Sequence, residues 1–172
     1  MIDSKGQSLH RTLIEQQRPH PLVAALTFAH QTNEIAGDGS QGASLNPKNG
    51  RLLRAGEHDA WMVGGHPDAR GVRIPEEAIP GRHLNFLQAL NHVHKVASET
   101  RSQPGTVAAG SWYSAEKDHI ALDASTSVPR KRDAVRLMEG RDEDATFNLK
   151  TFDEVKNHKK AARLATEGKA TA

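Results

Sequence analysis

Apolar side chains recur with a helical period in one part of this chain and with a strand period in others. Between residues 82 and 99 they return every three or four positions, which is typical of an amphipathic helix. Around the polar turn 114–118 they alternate instead, which predicts a β-hairpin. In chain order the predicted elements are a strand at 60–63, a helix at 82–99, strands at 106–113 and 119–124, a helix at 131–139 that stops at Gly140, and a strand at 145–149.

This order of strand, helix, strand, strand, helix, strand is that of the split βαβ, or ferredoxin-like, fold. Right-handed crossovers would place both helices on one face of an antiparallel sheet, with the first and third strands central. We therefore predict an α+β protein of this type, with an added N-terminal helical segment and C-terminal helix. The predicted core consists of Trp61, Leu87, Leu90, Ile120, Leu122, Leu137 and Phe147.

Breaks in the pattern divide the chain into three predicted parts. Residues 1–50 form a helical and loop segment with a linker, in which a helix runs from Pro21 to about residue 36. A strand over 22–28 is the alternative, and the Gly- and Ser-rich stretch 37–50 is predicted to be a loop. Residues 51–155 form the α+β domain. Residues 156–172 form a basic helix and tail, which a capping box of Thr151 and Glu154 is expected to start.

Charge is spread unevenly along the 172 residues, whose net charge is +2. Residues 59–149 hold 11 Lys and Arg against 13 Asp and Glu, whereas residues 150–172 hold 6 against 3. A nucleic-acid-binding domain usually carries its basic patch on the folded part, so this distribution favours a protein partner over nucleic acid.

The amino-acid composition limits the cellular compartments and the kinds of reactive site that we expect for this protein. The chain has no cysteine, which excludes disulfides, thiolate metal sites and cysteine nucleophiles and is consistent with a reducing compartment. No apolar run approaches the roughly 20 residues of a membrane span. We therefore expect a cytoplasmic protein that binds no membrane. Its oligomeric state is left open.

Ten histidines raise the question of a metal site. His92 and His94 are two residues apart on a helix and therefore face opposite sides. A site assembled from the distant residues His66, His83 and His119 stays open as an alternative, but we expect neither a metal nor a cofactor. The glycines at 37, 39 and 42 match a dinucleotide-binding spacing, but no strand precedes them in their polar loop.

His119 and Asp123 are candidates for acid–base chemistry. They are four residues apart on a predicted strand and therefore point to the same face. If Ile120 and Leu122 face the helices, this pair faces the open side of the sheet, where it could serve a small hydrolase or nuclease. Polar residues are also the ordinary occupants of a solvated sheet face, and we favour that interpretation.

The open face is also a candidate binding surface. Trp61, and either Trp112 or Tyr113, could stack on a ligand there, although one residue of each adjacent aromatic pair is expected to be core. The cluster Arg130, Lys131 and Arg132 lies at a helix start, where cations oppose the helix dipole. That conflict would suit a binding role toward an acidic partner, but we favour the interpretation that these cations form a solvated face.

Several short segments of the chain carry a resemblance to a known module. They are Ala109–Trp112, Ile120–Ser125, Arg132–Ala134 and Ala145–Leu149, with 45–50 as a similar entry segment. Together they resemble a C-terminal module in uncharacterised proteins of actinobacterial phages and related mobile elements, which has a Gly-x-Trp, a hairpin, a Leu-Asp-x-Ser, a short helix and a closing strand. The chain departs from that module at 142–144, where an Asn-Gln pair is usual. If the protein is phage-encoded, its compartment is the cytoplasm of the host cell.

The resemblance implies a phage or mobile-element context and carries over no catalytic residue. We therefore predict a non-enzymatic accessory protein that acts by binding a protein partner. Anti-defence inhibition of a host protein is one form of this function, and a virion-associated or regulatory role fits equally well. The alternatives are a small hydrolase or nuclease that uses His119 and Asp123, and a nucleic-acid-binding module that uses the basic tail.

Overall fold

Four helices and eight strands make up the part of the chain that the structure, a computed structural model, describes: residues 20–38, 42–54, 56–101 and 106–170. The helices are α1 (Pro21–Asp38), α2 (Phe86–Glu99), α3 (Lys131–Gly140) and α4 (His158–Ala170). The strands are β1 (Ala43–Asn46), β2 (Arg51–Leu52), β3 (Trp61–Val63), β4 (Glu77–Pro80), β5 (Thr106–Ser114), β6 (His119–Val128), β7 (Ala145–Asn148) and β8 (Glu154–Lys156).

All eight strands belong to one open antiparallel sheet. Its order is β2-β1-β5-β6-β3-β7-β8, and β4 pairs with the part of β6 that β3 leaves free. The β5–β6 hairpin is the longest pairing and runs from Thr106 opposite Ser127 to Ser114 opposite His119. The α+β class that the sequence predicts is confirmed.

Side-chain alternation along β6 separates the two faces of the sheet. Ile120, Leu122 and Ala124 are buried in one core with Phe28 of α1 and Val93 of α2. Farther along the same face, a second cluster joins β3 to α3 and contains Trp61, Val63, Ala134 and Met138. Because α1, α2 and α3 all pack on this face, the described residues leave the opposite face largely open.

The predicted core is correct in three of its seven members. Trp61, Ile120 and Leu122 are buried, whereas Leu90, Leu137 and Phe147 are only partly buried. The prediction that Leu87 belongs to the core is wrong, because its side chain is 65% exposed. A capping box of Asn85 and Gln88 starts α2 at Phe86, and Leu87 in its first turn is not among the buried residues of this helix. The buried stripe of this helix is instead Ala89, His92, Val93 and Val96.

Residues before position 51 share the core of the predicted 51–155 domain. Residues 22–28 are helical rather than a strand, and Phe28 is fully buried. The predicted loop 37–50 contains β1, in which Leu45 lies opposite Ala109 of β5. The structure thus places both sides of the predicted boundary on one sheet.

The C-terminal helix begins later than the capping box predicts. Glu154 lies in β8, and α4 starts at His158, where the Asn157 side chain accepts a hydrogen bond from the Lys160 amide at 3.1 Å. Three cations of α4 form ion pairs with acids near the end of α3: Lys159 with Glu139, Lys160 with Asp144 and Arg163 with Asp142. No helix in the described ranges is long and apolar enough to cross a membrane.

Candidate functional site

A groove of about 450 Å³ crosses the open sheet face between β1 and β7. Its floor includes the apolar side chains of Met62 and Phe147, which pack on the face opposite the helices. Within the described part of the chain, five acids and no lysine or arginine line it. The acids are Glu76, Asp123, Glu143, Asp144 and Glu154.

Asp123 lies at the centre of this groove because of the hairpin register. It is directly opposite Gly110, and a Cβ at Gly110 would lie 2.0 Å from Asp123 Oδ1. Only glycine therefore leaves room for the carboxylate in this position. The Ser125 hydroxyl donates a hydrogen bond of 2.9 Å to Asp123 Oδ2.

Burial raises the pKa of Asp123 from 3.8 to about 6. The hydrogen bond from Ser125 opposes this shift, and the nearby negative charges of Glu143 and Glu76 add to it. Removal of a carboxylate from water disfavours its charged form, as does a second carboxylate close by. Asp123 is thus ionised at neutral pH at an energetic cost.

Glu143 brings a second carboxylate to the same point. It follows α3, and its amide donates to the Met138 carbonyl at 3.0 Å. A Cβ at Gly64 would lie 2.9 Å from Glu143 Oε2 and 2.8 Å from Asp123 Oδ2, so these two oxygens converge beside Gly64. Burial raises the pKa of Glu143, and the positive charge of Arg73 opposes that shift.

Arg73 lies beside the other carboxylate oxygen of Glu143. Its Nη2 lies 2.7 Å from Glu143 Oε1, but the pair lacks hydrogen-bond alignment, so this buried oxygen has no hydrogen-bond donor among the described residues. Arg73 is presented by a turn in which the Asp68 side chain accepts the amide hydrogens of Arg70 and Val72. A β-bridge between Pro67 and Arg73 closes that turn.

His92 lies directly behind Asp123 on the helical side. Its Nε2 is 3.0 Å from the Asp123 carbonyl oxygen, and its ring stacks on Phe28 with centroids 6.0 Å apart. Burial lowers the pKa of His92 from 6.5 to about 4. His92 is therefore neutral at physiological pH and donates its Nε2 hydrogen to that carbonyl. His94 is exposed on the opposite side of α2.

Trp112 is the one predicted binding aromatic whose side chain projects from the open face. It lies opposite Ala121, lines the groove and is 41% exposed, with its ring 6.3 Å from that of His119. Trp61 is buried on the helical face. Tyr113 borders the groove, but its ring packs against the helical core.

The predicted basic cluster lies away from this groove. Arg130, Lys131 and Arg132 are exposed at the start of α3, and the Lys131 ammonium lies 5.4 Å from the centre of the Trp61 ring. The structure thus brings Lys131 to Trp61 but brings neither to Trp112.

The predicted catalytic pair shares a face but is not in contact. Four residues of strand separate His119 from Asp123 by about 13 Å. The partner that the structure places beside Asp123 is Glu143. Among the described residues no group of three or more potential ligands could hold a metal ion, and His66 instead contacts the Thr126 hydroxyl.

Sequence reasoning missed Glu143, Arg73 and the two glycines. The register of the 106–128 hairpin would have placed Gly110 opposite Asp123. The strand end at Gly64 gives no such signal, because its proximity to Glu143 depends on how α3 leads into β7.

Comparison of the chain with protein-family models, curated proteins and solved structures returned no match.

Substitution of Gly110 by alanine tests whether Asp123 depends on the missing side chain. The added Cβ would force the carboxylate to rotate away from Ser125, and we expect a loss of about 1 to 2 kcal/mol in the free energy of unfolding. Urea denaturation at pH 7.5 measures this loss. Gly140→Ala is the control, because nothing lies within 4 Å of its Cβ position, and it should not destabilise the protein. Equal stability of the two variants would contradict the crowding at Gly110.

Proposed function

We propose that this protein is a non-enzymatic phage or mobile-element accessory protein that binds an extended, positively charged segment of a partner protein in the open-face groove. The observation that carries the proposal is a groove lined by five acidic side chains and by no basic one among the described residues. Arg73 and Lys160, which lie outside the lining, pair with two of these acids, so the groove keeps a net negative charge. Trp112, Met62 and Phe147 supply apolar contact area beside those charges. The phage context is supported only by the resemblance of residues 109–149.

The negative charge of the groove also favours a protein partner over nucleic acid. Phosphates need lysine and arginine at the surface that receives them, and an acidic groove repels them. Three basic residues of α4 that would contribute to an alternative phosphate site are paired within the chain. Lys159, Lys160 and Arg163 each lie within 3 Å of a carboxylate oxygen. Both observations favour a cationic peptide as the occupant.

Calorimetric titration of the full chain tests this function with three probes. They are a ten-residue peptide that alternates arginine with small apolar residues, the same peptide with glutamine in place of arginine, and a ten-nucleotide single-stranded DNA. We expect saturable binding of the arginine peptide alone, and we expect it to weaken as salt screens the charges. Saturable binding of the DNA, or of no probe, would overturn the proposal.

Charge removal on the protein supplies the matched control. The triple variant Glu76→Gln, Asp144→Asn, Glu154→Gln should bind the arginine peptide about tenfold more weakly, because each exposed charge contributes up to about 1 kcal/mol. The triple variant Glu34→Gln, Glu57→Gln, Glu116→Gln removes the same net charge at exposed positions outside the groove. It should retain the affinity to within about twofold. An equal loss in both variants would mean that overall charge, rather than the groove, attracts the peptide.

A second candidate function is hydrolysis by the paired carboxylates of Asp123 and Glu143. The observation that favours it is their close approach together with a raised pKa for both, since acid–base pairs in hydrolases are tuned in this way. Turnover of p-nitrophenyl glycosides or of bis-p-nitrophenyl phosphate at pH 5 to 7, abolished by Glu143→Gln, would support it. Absence of turnover with these probes would count against it.

We also propose that the central strands have the ferredoxin-like relation. The support is the order β5-β6-β3-β7, in which the first and third of these strands along the chain, β3 and β6, are central. Strands β1, β2, β4 and β8 are then additions to that unit. A solved structure of a relative with a bare β3-α2-β5-β6-α3-β7 unit would test this relation, and a different central order in such a relative would contradict it.

A further inference from the structure

One part of the groove is an anionic recess lined by Asp123, Glu143, Gly64, Gly110 and Ser125. The two glycines leave room for the carboxylates themselves, and the virtual Cβ at Gly64 lies within 3 Å of both Asp123 Oδ2 and Glu143 Oε2. Two anionic oxygens therefore point at one small volume. Such an arrangement is unfavourable by itself and becomes favourable when a cation lies between the oxygens.

The two carboxylates retain unused acceptor capacity. An ionised carboxylate offers about four lone-pair sites. Among the described residues, the side chain of Asp123 accepts one hydrogen bond, from Ser125, and Glu143 Oε1, which lies 2.7 Å from Arg73 Nη2, accepts none. Arg73 approaches Glu143 from the Oε1 side and so leaves Oε2 facing Asp123. A ligand with several N–H donors in a fork could donate hydrogen bonds to the remaining acceptor sites of both carboxylates.

We propose that this recess binds the guanidinium group of one arginine in the partner's segment. The inference rests on the proposed function and names the side chain that fixes the position of the segment in the groove. Arginine fits better than lysine because its planar fork can donate to two separate carboxylates at once. A guanidinium is also more weakly hydrated than an ammonium, so it enters a half-buried recess at lower cost. Trp112, farther along the groove, offers a ring face to the remainder of the segment.

Titrations with single-cation peptides test this assignment. The probes are ten-residue Gly-, Ser- and Gln-based peptides with one central arginine, lysine or citrulline, the last being a neutral isostere of arginine. Binding to the full chain is measured by calorimetry and by amide chemical shifts at pH 7.5. We expect the arginine peptide to bind at least about tenfold more tightly than the citrulline peptide and more tightly than the lysine peptide. The amides of Gly64, Gly110 and Ser125 should shift.

Protein variants locate the effect at the recess. Asp123→Asn and Glu143→Gln, which keep the shapes of the side chains, should each weaken binding of the arginine peptide by about tenfold. Glu116→Gln, an exposed change in the hairpin turn outside the groove, should leave it unchanged. A one-dimensional amide spectrum and a thermal melt of each variant show that it is folded before its affinity is compared.

The outcomes distinguish this inference from the proposed function. The recess assignment is wrong, and the groove proposal stands, if multiply charged peptides bind the groove but the arginine, lysine and citrulline peptides bind with equal affinity. The same conclusion follows if Asp123→Asn and Glu143→Gln retain full affinity for the arginine peptide. If no cationic peptide of any length shifts a groove residue, the groove proposal itself fails and the recess assignment fails with it.

Discussion

Replacement of Asp123 by asparagine is expected to stabilise the protein at pH 7.5 by about 2 kcal/mol. A pKa raised from 3.8 to about 6 means that ionisation of the folded protein costs up to about 3 kcal/mol at neutral pH, reduced here because Asp123 lines the groove and retains some solvent. Asparagine keeps the shape and can still accept from Ser125, but it carries no charge. Urea denaturation as a function of pH measures the difference.

The sign of the effect depends on pH. Between about pH 4 and 6 the folded protein keeps the proton on Asp123 while the unfolded chain has lost it, so the unmodified protein loses stability as pH rises. The gain from Asp123→Asn should therefore be full above about pH 6 and vanish near pH 4. Asp144→Asn is the control, since it removes the same charge from a groove side chain that is 86% exposed, and it should change stability by less than about 0.5 kcal/mol. A destabilised Asp123→Asn at pH 7.5 would contradict the costly burial of this carboxylate.

His92→Gln is expected to remove a loss of stability in acid. With its pKa lowered from 6.5 to about 4, His92 stays neutral in the folded protein while the unfolded chain takes up a proton. The unmodified protein therefore loses up to about 3 kcal/mol from this residue as pH falls from 6.5 to 4. Glutamine can donate to the Asp123 carbonyl but does not titrate. Its smaller contact with Phe28 should cost about 1 to 2 kcal/mol at pH 7.5.

The plots of unfolding free energy against pH for His92→Gln and for the unmodified protein should therefore cross. Relative to the unmodified protein, His92→Gln should be less stable at pH 7.5 and more stable near pH 4. His94→Gln, an exposed change on the opposite side of α2, should follow the unmodified protein throughout. Parallel curves for His92→Gln and the unmodified protein would show that His92 takes up its proton over the same pH range in the folded and unfolded states, which would contradict its lowered pKa. Because Asp123 and His92 respond to acid in opposite directions, each variant exposes the effect of the other residue.

The strongly periodic elements were predictable from sequence, as were the short strands β3 and β7, but the short strands β1, β2, β4 and β8 were not. The 106–128 hairpin and the helix after Asn85 have enough alternating or stripe-forming residues for local pattern to decide them. Strands β2, β4 and β8 have two to four residues each, so their pairing depends on tertiary position rather than on local pattern. Thr151 and Glu154 have the spacing of a capping box, but pairing of Glu154 with Phe147 made that segment a strand.

Part of the site was also within reach of sequence reasoning. The open-face position of Asp123 follows from alternation with Ile120 and Leu122, and Trp112 shares that face through the hairpin register. The prediction that His119 shares this face says nothing of contact, because a strand separates residues four apart by about 13 Å. Glu143 lies outside the hairpin and reaches Asp123 only through the packing of α3 against β3, which no local pattern encodes.

An amide chemical-shift map of the full chain with the alternating arginine decapeptide tests most directly whether the open face is the binding surface. We predict saturable shifts at Ser44, Gly110, Ser125 and Phe147, with the Trp112 indole among the largest. Shifts centred instead on Arg130, Lys131 and Trp61 at the start of α3, or no saturable shift at millimolar peptide, would contradict binding by the acidic groove.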